Sequence, residues 1–127
     1  MTLYCITGAS RGIGFGLAEK LTARGDYVIA GVRDPNAAAL AELAAARPEL
    51  ITAHRLDVTD DVSVAAFARL LDGQPIDVLI NNAGIRGPKP QMALDIDLKT
   101  FAEVLATNTL APLRVARALL PNLRKAK

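Results

Sequence analysis

Tryptophan is absent from the 127 residues, and aromatic residues of every kind make up only 4% of them. This argues against nucleic-acid modules that stack bases on aromatic platforms. Histidine and cysteine each occur once, as His54 and Cys5. Cys5 has no partner for an internal disulfide, and no Cys, His or carboxylate cluster stands at ligand spacing, so the chain reads as neither a disulfide scaffold nor a metal protein. Cys5 lies in an apolar stretch and reads as a small buried hydrophobe in a reducing compartment. No apolar run approaches the ~20 residues of a membrane span. No basic segment with a following apolar stretch precedes Gly8, so no secretion signal is visible and the expected location is the cytoplasm. A dominant charge is also lacking: the net charge is +2 with both signs interspersed, which leaves no basic stripe for nucleic acid. The basic tail, Arg124, Lys125 and Lys127, reads as a complement to a helix C-terminus.

What is present is apolar and regularly ordered. Hydrophobic residues make up 51% of the chain, and a single domain of this length buries roughly two-thirds of its unfolded surface. Strand and helix patterns alternate. Leu3–Ile6, Tyr27–Ala30, Ile51–Leu56 and Ile76–Ile80 read as strands, the third less hydrophobic and suited to a sheet edge. Helices are expected over Ile13–Arg24 with Gly25 as stop, over Pro35–Ala46 with Asp34 as N-cap, and over Asp61–Leu71 capped by Thr59 or Asp60. A long helical stretch runs from Leu98, bent by Pro112 and bent or ended by Pro121. This alternation predicts an α/β fold: a doubly wound parallel sheet of about four strands, order 3-2-1-4, with helices on both faces. Its switch point lies between the first and fourth strands, where Gly8 and the Asn81-Asn82-Ala83-Gly84 turn would face each other.

The turn after the first strand reads Thr7-Gly8-Ala9-Ser10-Arg11-Gly12-Ile13-Gly14. Gly8 permits a tight turn, Gly12 a close approach of backbone to ligand, and Gly14 close packing of helix on strand. The first N–H groups of the helix lack intrahelical acceptors and suit an anion such as a pyrophosphate.

Thr7-Gly8-x-x-x-Gly12-x-Gly14, then Asp57-Val58, then Asn81-Asn82-Ala83-Gly84, then Asn108, resembles the classical short-chain dehydrogenase/reductase family in order and spacing. The resemblance covers essentially all 127 residues but only the N-terminal half of such an enzyme, so residues 1–127 read as a single truncated Rossmann-like dinucleotide-binding domain. It implies that Gly8, Gly12 and Gly14 hold the pyrophosphate, with Ser10, Arg11 and Ile13 lining the turn. It implies that Asp57 accepts from the adenine amino group beside the Val58 backbone, that Asn81 stabilises the sheet edge near the cofactor, and that Ala83 and Gly84 pass close to ribose and nicotinamide. Asn108 would match the helix asparagine that positions a water in a proton relay. Blander readings stand beside these: Arg11 and Arg33 as solvated cations, Asp57 as a helix cap, Asn81 and Asn82 as partners of backbone groups, Asn108 as inert.

Charge at the tip of the second strand bears on the choice of cofactor. An acid about 20 residues past the glycines would bind a ribose 2′-hydroxyl. Here the tip reads Gly31-Val32-Arg33-Asp34. Arg33 with Arg11 suits a 2′-phosphate through charge-assisted bonds, so NADP(H) is expected to be preferred, with NAD(H) possible because Asp34 follows. The family's acid–base chemistry needs a serine and a tyrosine followed four residues on by lysine. The two tyrosines are followed at that distance by Gly8 and Gly31, so the chain by itself is expected to be inactive. An unpaired fourth-strand edge and the apolar last helix, with Leu105, Leu110, Leu113, Val115, Leu119 and Leu120, predict self-association, as a dimer or larger homo-oligomer. Neither a nucleic-acid nor a membrane partner is expected, and a non-catalytic nucleotide-binding protein or a self-associating relic is the alternative reading.

Overall fold

The computed structural model describes residues 1–126. Four strands, β1 (Leu3–Thr7), β2 (Tyr27–Val32), β3 (Ile51–Arg55) and β4 (Val78–Ile80), form one parallel sheet in the order β3-β2-β1-β4. The register pairs Leu3 with Tyr27, Tyr4 with Val78, and Val28 with Ile51. Helices α1 (Gly12–Ala23), α2 (Ala38–Ala46) and α3 (Asp61–Leu70) fill the first three crossovers, and α4 (Leu98–Leu105), α5 (Ala111–Ala118) and α6 (Leu120–Lys125) follow β4. The alternating pattern and the strand order expected from sequence are both found.

Side-chain alternation along β1 and β2 divides the core. Ile6, Val28, Ala30 and Val32 point to one face and meet Ala18 of α1 and Leu40 and Leu43 of α2. Cys5 and Ile29 point to the other and meet Val64 and Phe67 of α3 and Val115 of α5. Each fully buried aliphatic or aromatic side chain contributes about 1.5–3 kcal/mol, so both faces of the parallel sheet are held by helix contacts.

Several boundaries differ from expectation for local reasons. α2 begins at Ala38 with no side-chain cap, because Asp34 is engaged in a turn: its carboxylate accepts from the Asn36 amide at 2.9 Å. At α3 the cap is Asp60, accepting from Val62 N at 3.0 Å. β4 starts at Val78 because Ile76, fully buried, donates its amide to Asn122 O instead of to a strand. The last helical stretch is interrupted by a π-helical turn, Ala106–Leu110, and Pro112 and Pro121 each stand in the first turn of the helix that follows. Of the leucine-rich set expected to be exposed there, Val115 and Leu119 are instead core residues, whereas Leu105, Leu110, Leu113 and Leu120 are exposed. Arg124 and Lys125 lie in the last turn of α6; Lys127 lies outside the described residues. Among the described residues no helix is long and apolar enough to cross a membrane, and no group of three or more His, Cys, Asp or Glu could hold a metal.

Candidate functional site

A cleft of about 280 Å³ opens where the carboxyl ends of β1, β2 and β4 converge, the switch-point position for a ligand crevice in an open α/β sheet. One wall is the β1–α1 turn, with Gly8, Ser10, Arg11 and Gly12. Gly8 and Gly12 hold φ values of +68° and +59°, a region that a Cβ disfavours. A Cβ on Gly8 would stand 2.9 Å from Ala83 Cα, whereas one on Gly12 would meet no atom within 4 Å. Gly8 is therefore where two backbones touch, and Gly12 is where the backbone borders open space. The first intrahelical bond of α1 runs from Phe15 N to Arg11 O at 3.3 Å, which leaves the amides of Gly12, Ile13 and Gly14 without helical acceptors. The Ile13 side chain is exposed. A Cβ on Gly14 would press on Gly8 O at 2.6 Å, so that glycine lets α1 start directly against the turn.

The fourth-strand wall is tied to the first by one asparagine. Asn82 Nδ2 donates to Thr7 O at 3.1 Å and to Gly8 O at 3.0 Å. In return Thr7 Oγ1 accepts from the Asn82 and Ala83 amides at 3.1 and 3.0 Å. Asn81, to which the resemblance gave the sheet-edge role, stands off the cleft and donates to Pro112 O at 3.3 Å, joining the tip of β4 to α5. Beyond Ala83, the backbone of Gly84 and Ile85 is fixed by Asn108 in the π-helical turn. Asn108 Oδ1 accepts from Ile85 N at 2.8 Å, and Nδ2 donates to Ile85 O at 2.7 Å. Both ends of the Asn108 side chain are thus engaged by loop backbone.

The third wall carries Gly31, Val32, Arg33, Leu56 and Val58. Gly31 O accepts from Gly8 N at 2.9 Å, and a Cβ on Gly31 would stand 2.6 Å from Leu56 Cδ2, so the floor of the cleft lies directly on the α3-side core. Asp57 Oδ1 accepts from Thr59 N at 3.0 Å and Thr59 Oγ1 at 2.7 Å. These two bonds hold its carboxyl below the usual carboxylate range, hydroxyl first, with smaller help from the charges of Arg33 and Arg55. Asp57 is engaged by Thr59 and does not cap α3. Among the described residues the two ion pairs are Arg24–Asp26 and Arg114–Asp61, the second beside the third wall, where Arg114 also donates to Val58 O at 2.9 Å; Arg11 and Arg33 face the cleft without acidic partners.

Of the residues singled out from sequence, Gly8, Ser10, Arg11, Gly12, Arg33, Val58, Ala83 and Gly84 line the cleft. Ile13, Gly14, Asp57, Asn81 and Asn108 support it from behind or beside. Asn82 and Ile85 line it too, and Gly31, Val32, Leu56 and Thr107, which were not among the expected site residues, complete the lining. Thr107 is recognisable only once the π-helical turn turns it inward, where its hydroxyl donates to Glu103 O at 3.0 Å.

A parallel sheet with a glycine turn facing the tip of β4 defines the Rossmann-like class. The family model for short chain dehydrogenase matches residues 2–127, and the chain belongs to that family. It is 40% identical, with a TM-score of 0.90, to a carbonyl reductase from Pseudomonas aeruginosa PAO1 solved in complex with NADP, covering 96% of this chain and 56% of that one. It is 36% identical, with a TM-score of 0.85, to an NADPH-bound carbonyl reductase from chicken fatty liver, covering 98% and 53%. An uncharacterized oxidoreductase of Bacillus subtilis (strain 168) is 39% identical over 124 residues, covering 94% of this chain and 43% of its own length. The chain spans about half the length of the relatives it matches.

Proposed function

We propose that this chain is the NADP(H)-binding portion of an oxidoreductase that interconverts carbonyls and alcohols. The observation that carries the reading is the cleft itself: an amide-lined helix mouth, a glycine whose missing Cβ leaves open space, and two guanidinium groups, Arg11 and Arg33, without acidic partners. The residues present fit a dinucleotide. The amides that open α1, reached past Gly8 and Gly12, would hold the pyrophosphate, with Ser10 beside them, Ile13 contributing its amide and Gly14 keeping the helix close. Val58 and the free oxygen of Asp57 would meet the adenine. Ala83 and Gly84 would border the ribose and nicotinamide, with Asn81 and Asn108 holding that wall. When bound, the nicotinamide supplies or accepts a hydride.

Arg11 and Arg33 favour a 2′-phosphate over a 2′-hydroxyl. Asp34, the acid that could have bound a hydroxyl, is used by the Asn36 turn, which strengthens the case for NADP(H). Two charge-assisted bonds at roughly 1.5–3 kcal/mol each are enough to set cofactor preference. Neither tyrosine lines the cleft: Tyr4 accepts from Arg24 Nη2 inside β1, and Tyr27 opens β2 at the opposite end of the sheet. In this reading the 127 residues bind and orient the cofactor and do not themselves exchange a proton with the substrate. We place the protein in the cytoplasm, where a buried Cys5 thiol stays reduced. We also infer self-association, through the free edge of β4 or through the exposed face formed by Leu110, at the end of the π-helical turn, and Leu113 of α5. Sedimentation at micromolar concentration should give more than a monomer, and a monomer would refute that part.

Calorimetric titration with NADP+ and NAD+, with NADPH oxidation followed on a panel of carbonyl compounds, tests the whole. NADP+ is expected to bind more tightly, with no turnover by the chain alone, and Arg33→Ala should weaken NADP+ at least about tenfold while sparing NAD+. Tighter binding of NAD+ overturns the cofactor assignment, and measurable turnover overturns the division of labour. A catalytically silent nucleotide-binding protein is the second reading, favoured by the absence of a tyrosine from the cleft lining.

A further inference from the structure

We propose that Arg55 is an outer specificity residue, a third cation that works with Arg11 and Arg33 to select a 2′-phosphorylated adenine nucleotide; this rests on the reading of the cleft as an NADP(H) site. Arg55 is the last residue of β3, and the parallel register sets it opposite Val32. Val32 and Arg33 line the cleft, and so does Leu56, the residue after Arg55. Adjacent strands lie about 4.8 Å apart, so the Arg55 backbone is one strand away from the wall that would face the 2′ position. Its side chain is exposed and forms no ion pair or hydrogen bond among the described residues.

Charge balance shows what this cation adds. The acids at this end of the sheet are all engaged: Asp34 in the Asn36 turn, Asp57 with Thr59 and within the fields of both Arg33 and Arg55, Asp60 as the α3 cap, and Asp61 with Arg114. Arg55, with no partner of its own among the described residues, adds one positive charge beside the end of the cleft where a 2′-phosphate would bring about −1.5 to −2. A 2′-hydroxyl brings no charge and is indifferent to it. Direct contact is not required, because a charge within a Debye length, about 8 Å at physiological salt, is incompletely screened. At that range one charge changes the affinity for a phosphate by about threefold to tenfold.

The test is calorimetric titration of the intact chain with NADP+ and with NAD+, for the unsubstituted protein, Arg55→Gln and Arg55→Lys, at low and at high NaCl. Arg55→Gln should raise the Kd for NADP+ by about threefold to tenfold at low salt and leave NAD+ unchanged. High salt should shrink the difference, and Arg55→Lys should restore most of the affinity, because charge and not the guanidinium fork is what acts. Equal weakening of both nucleotides, or unchanged NADP+ affinity in Arg55→Gln at low salt, overturns the inference. Failure of the underlying reading appears separately, in the unsubstituted protein, as NAD+ binding no weaker than NADP+ or as no binding of either.

Discussion

Gly8→Ala and Gly12→Ala make a matched pair that separates the two duties of the β1–α1 turn. Both positions sit at similar positive φ, +68° and +59°. Each alanine therefore incurs about 1–2 kcal/mol of backbone strain, offset by about 0.4–1 kcal/mol from the reduced freedom of the unfolded chain. The surroundings differ. The new Cβ at position 8 would lie 2.9 Å from Ala83 Cα, 3.1 Å from Ala83 N and 3.2 Å from Ala83 Cβ, whereas at position 12 nothing stands within 4 Å. Backbone cannot swing aside as a long side chain does, so Gly8→Ala adds an overpacking cost of about 1–3 kcal/mol. The expected stability losses are about 2–4 kcal/mol for Gly8→Ala and about 0.5–1.5 kcal/mol for Gly12→Ala. Binding should rank the other way among folded molecules. The Gly12→Ala methyl enters the space a pyrophosphate would use and should weaken NADP+ at least about tenfold. Urea unfolding followed by circular dichroism measures the first quantity, and calorimetric titration the second. Equal stability losses would refute the contact argument. Undiminished NADP+ binding by Gly12→Ala would refute the claim that the ligand approaches the backbone there.

Asn108→Ala should free the Gly84–Ile85 backbone, because it removes both bonds to Ile85. Faster limited proteolysis between Ile85 and Asp97, with little change in global stability, is the expected result, and unaltered cleavage would count against the clamp. Asp57 has its folded-state pKa lowered, chiefly by the Thr59 hydroxyl and amide. Its contribution to stability is therefore present above the ordinary carboxylate range and is lost as pH falls through the depressed value. Asp57→Asn should flatten the acid limb of a stability–pH curve, and an unchanged acid limb would disprove the assignment. Burial pushes the Cys5 thiol up to about 12, so a disulfide reagent at pH 8 should label it only when urea unfolds the chain; rapid labelling of the folded protein would contradict its place in the core.

The fold was readable because its signals are redundant along the chain. Four apolar strands alternate with helical segments, and the glycine turn and the Asn81–Gly84 segment mark the strand ends that must come together. The cleft residues of the glycine turn were readable for the same reason: missing side chains are visible in sequence. What escaped were features that depend on contacts across long separations. Asn81 and Asn82 look equivalent as neighbours, yet only the second reaches Thr7 and Gly8, because alternation at the strand end turns one toward β1 and the other toward α5. Asp34 reads as a helix cap by its proximity to Pro35, but a local Asx turn claims its carboxylate first. Gly31 looks like a strand residue until Leu56 and Phe67 are seen to occupy the space beside it. The π-helical turn has no propensity signature at all. Thr107 is an ordinary residue whose place in the cleft lining is set by tertiary contacts, and Asn108, singled out by the resemblance, gave no sign of its grip on Ile85.

That turn also sets the phase of everything after it. A regular helix advances each residue by roughly 100°, so accommodating one additional residue within a single turn rotates the downstream helix by about one residue step. Asn108 can look toward the Ile85 loop while Ala111 and Val115 still settle onto the sheet, two orientations that an unbroken helix would have to trade against each other. The wide turn is a coupling joint: shortening it by a single residue would force the chain to choose between gripping its loop and closing its core.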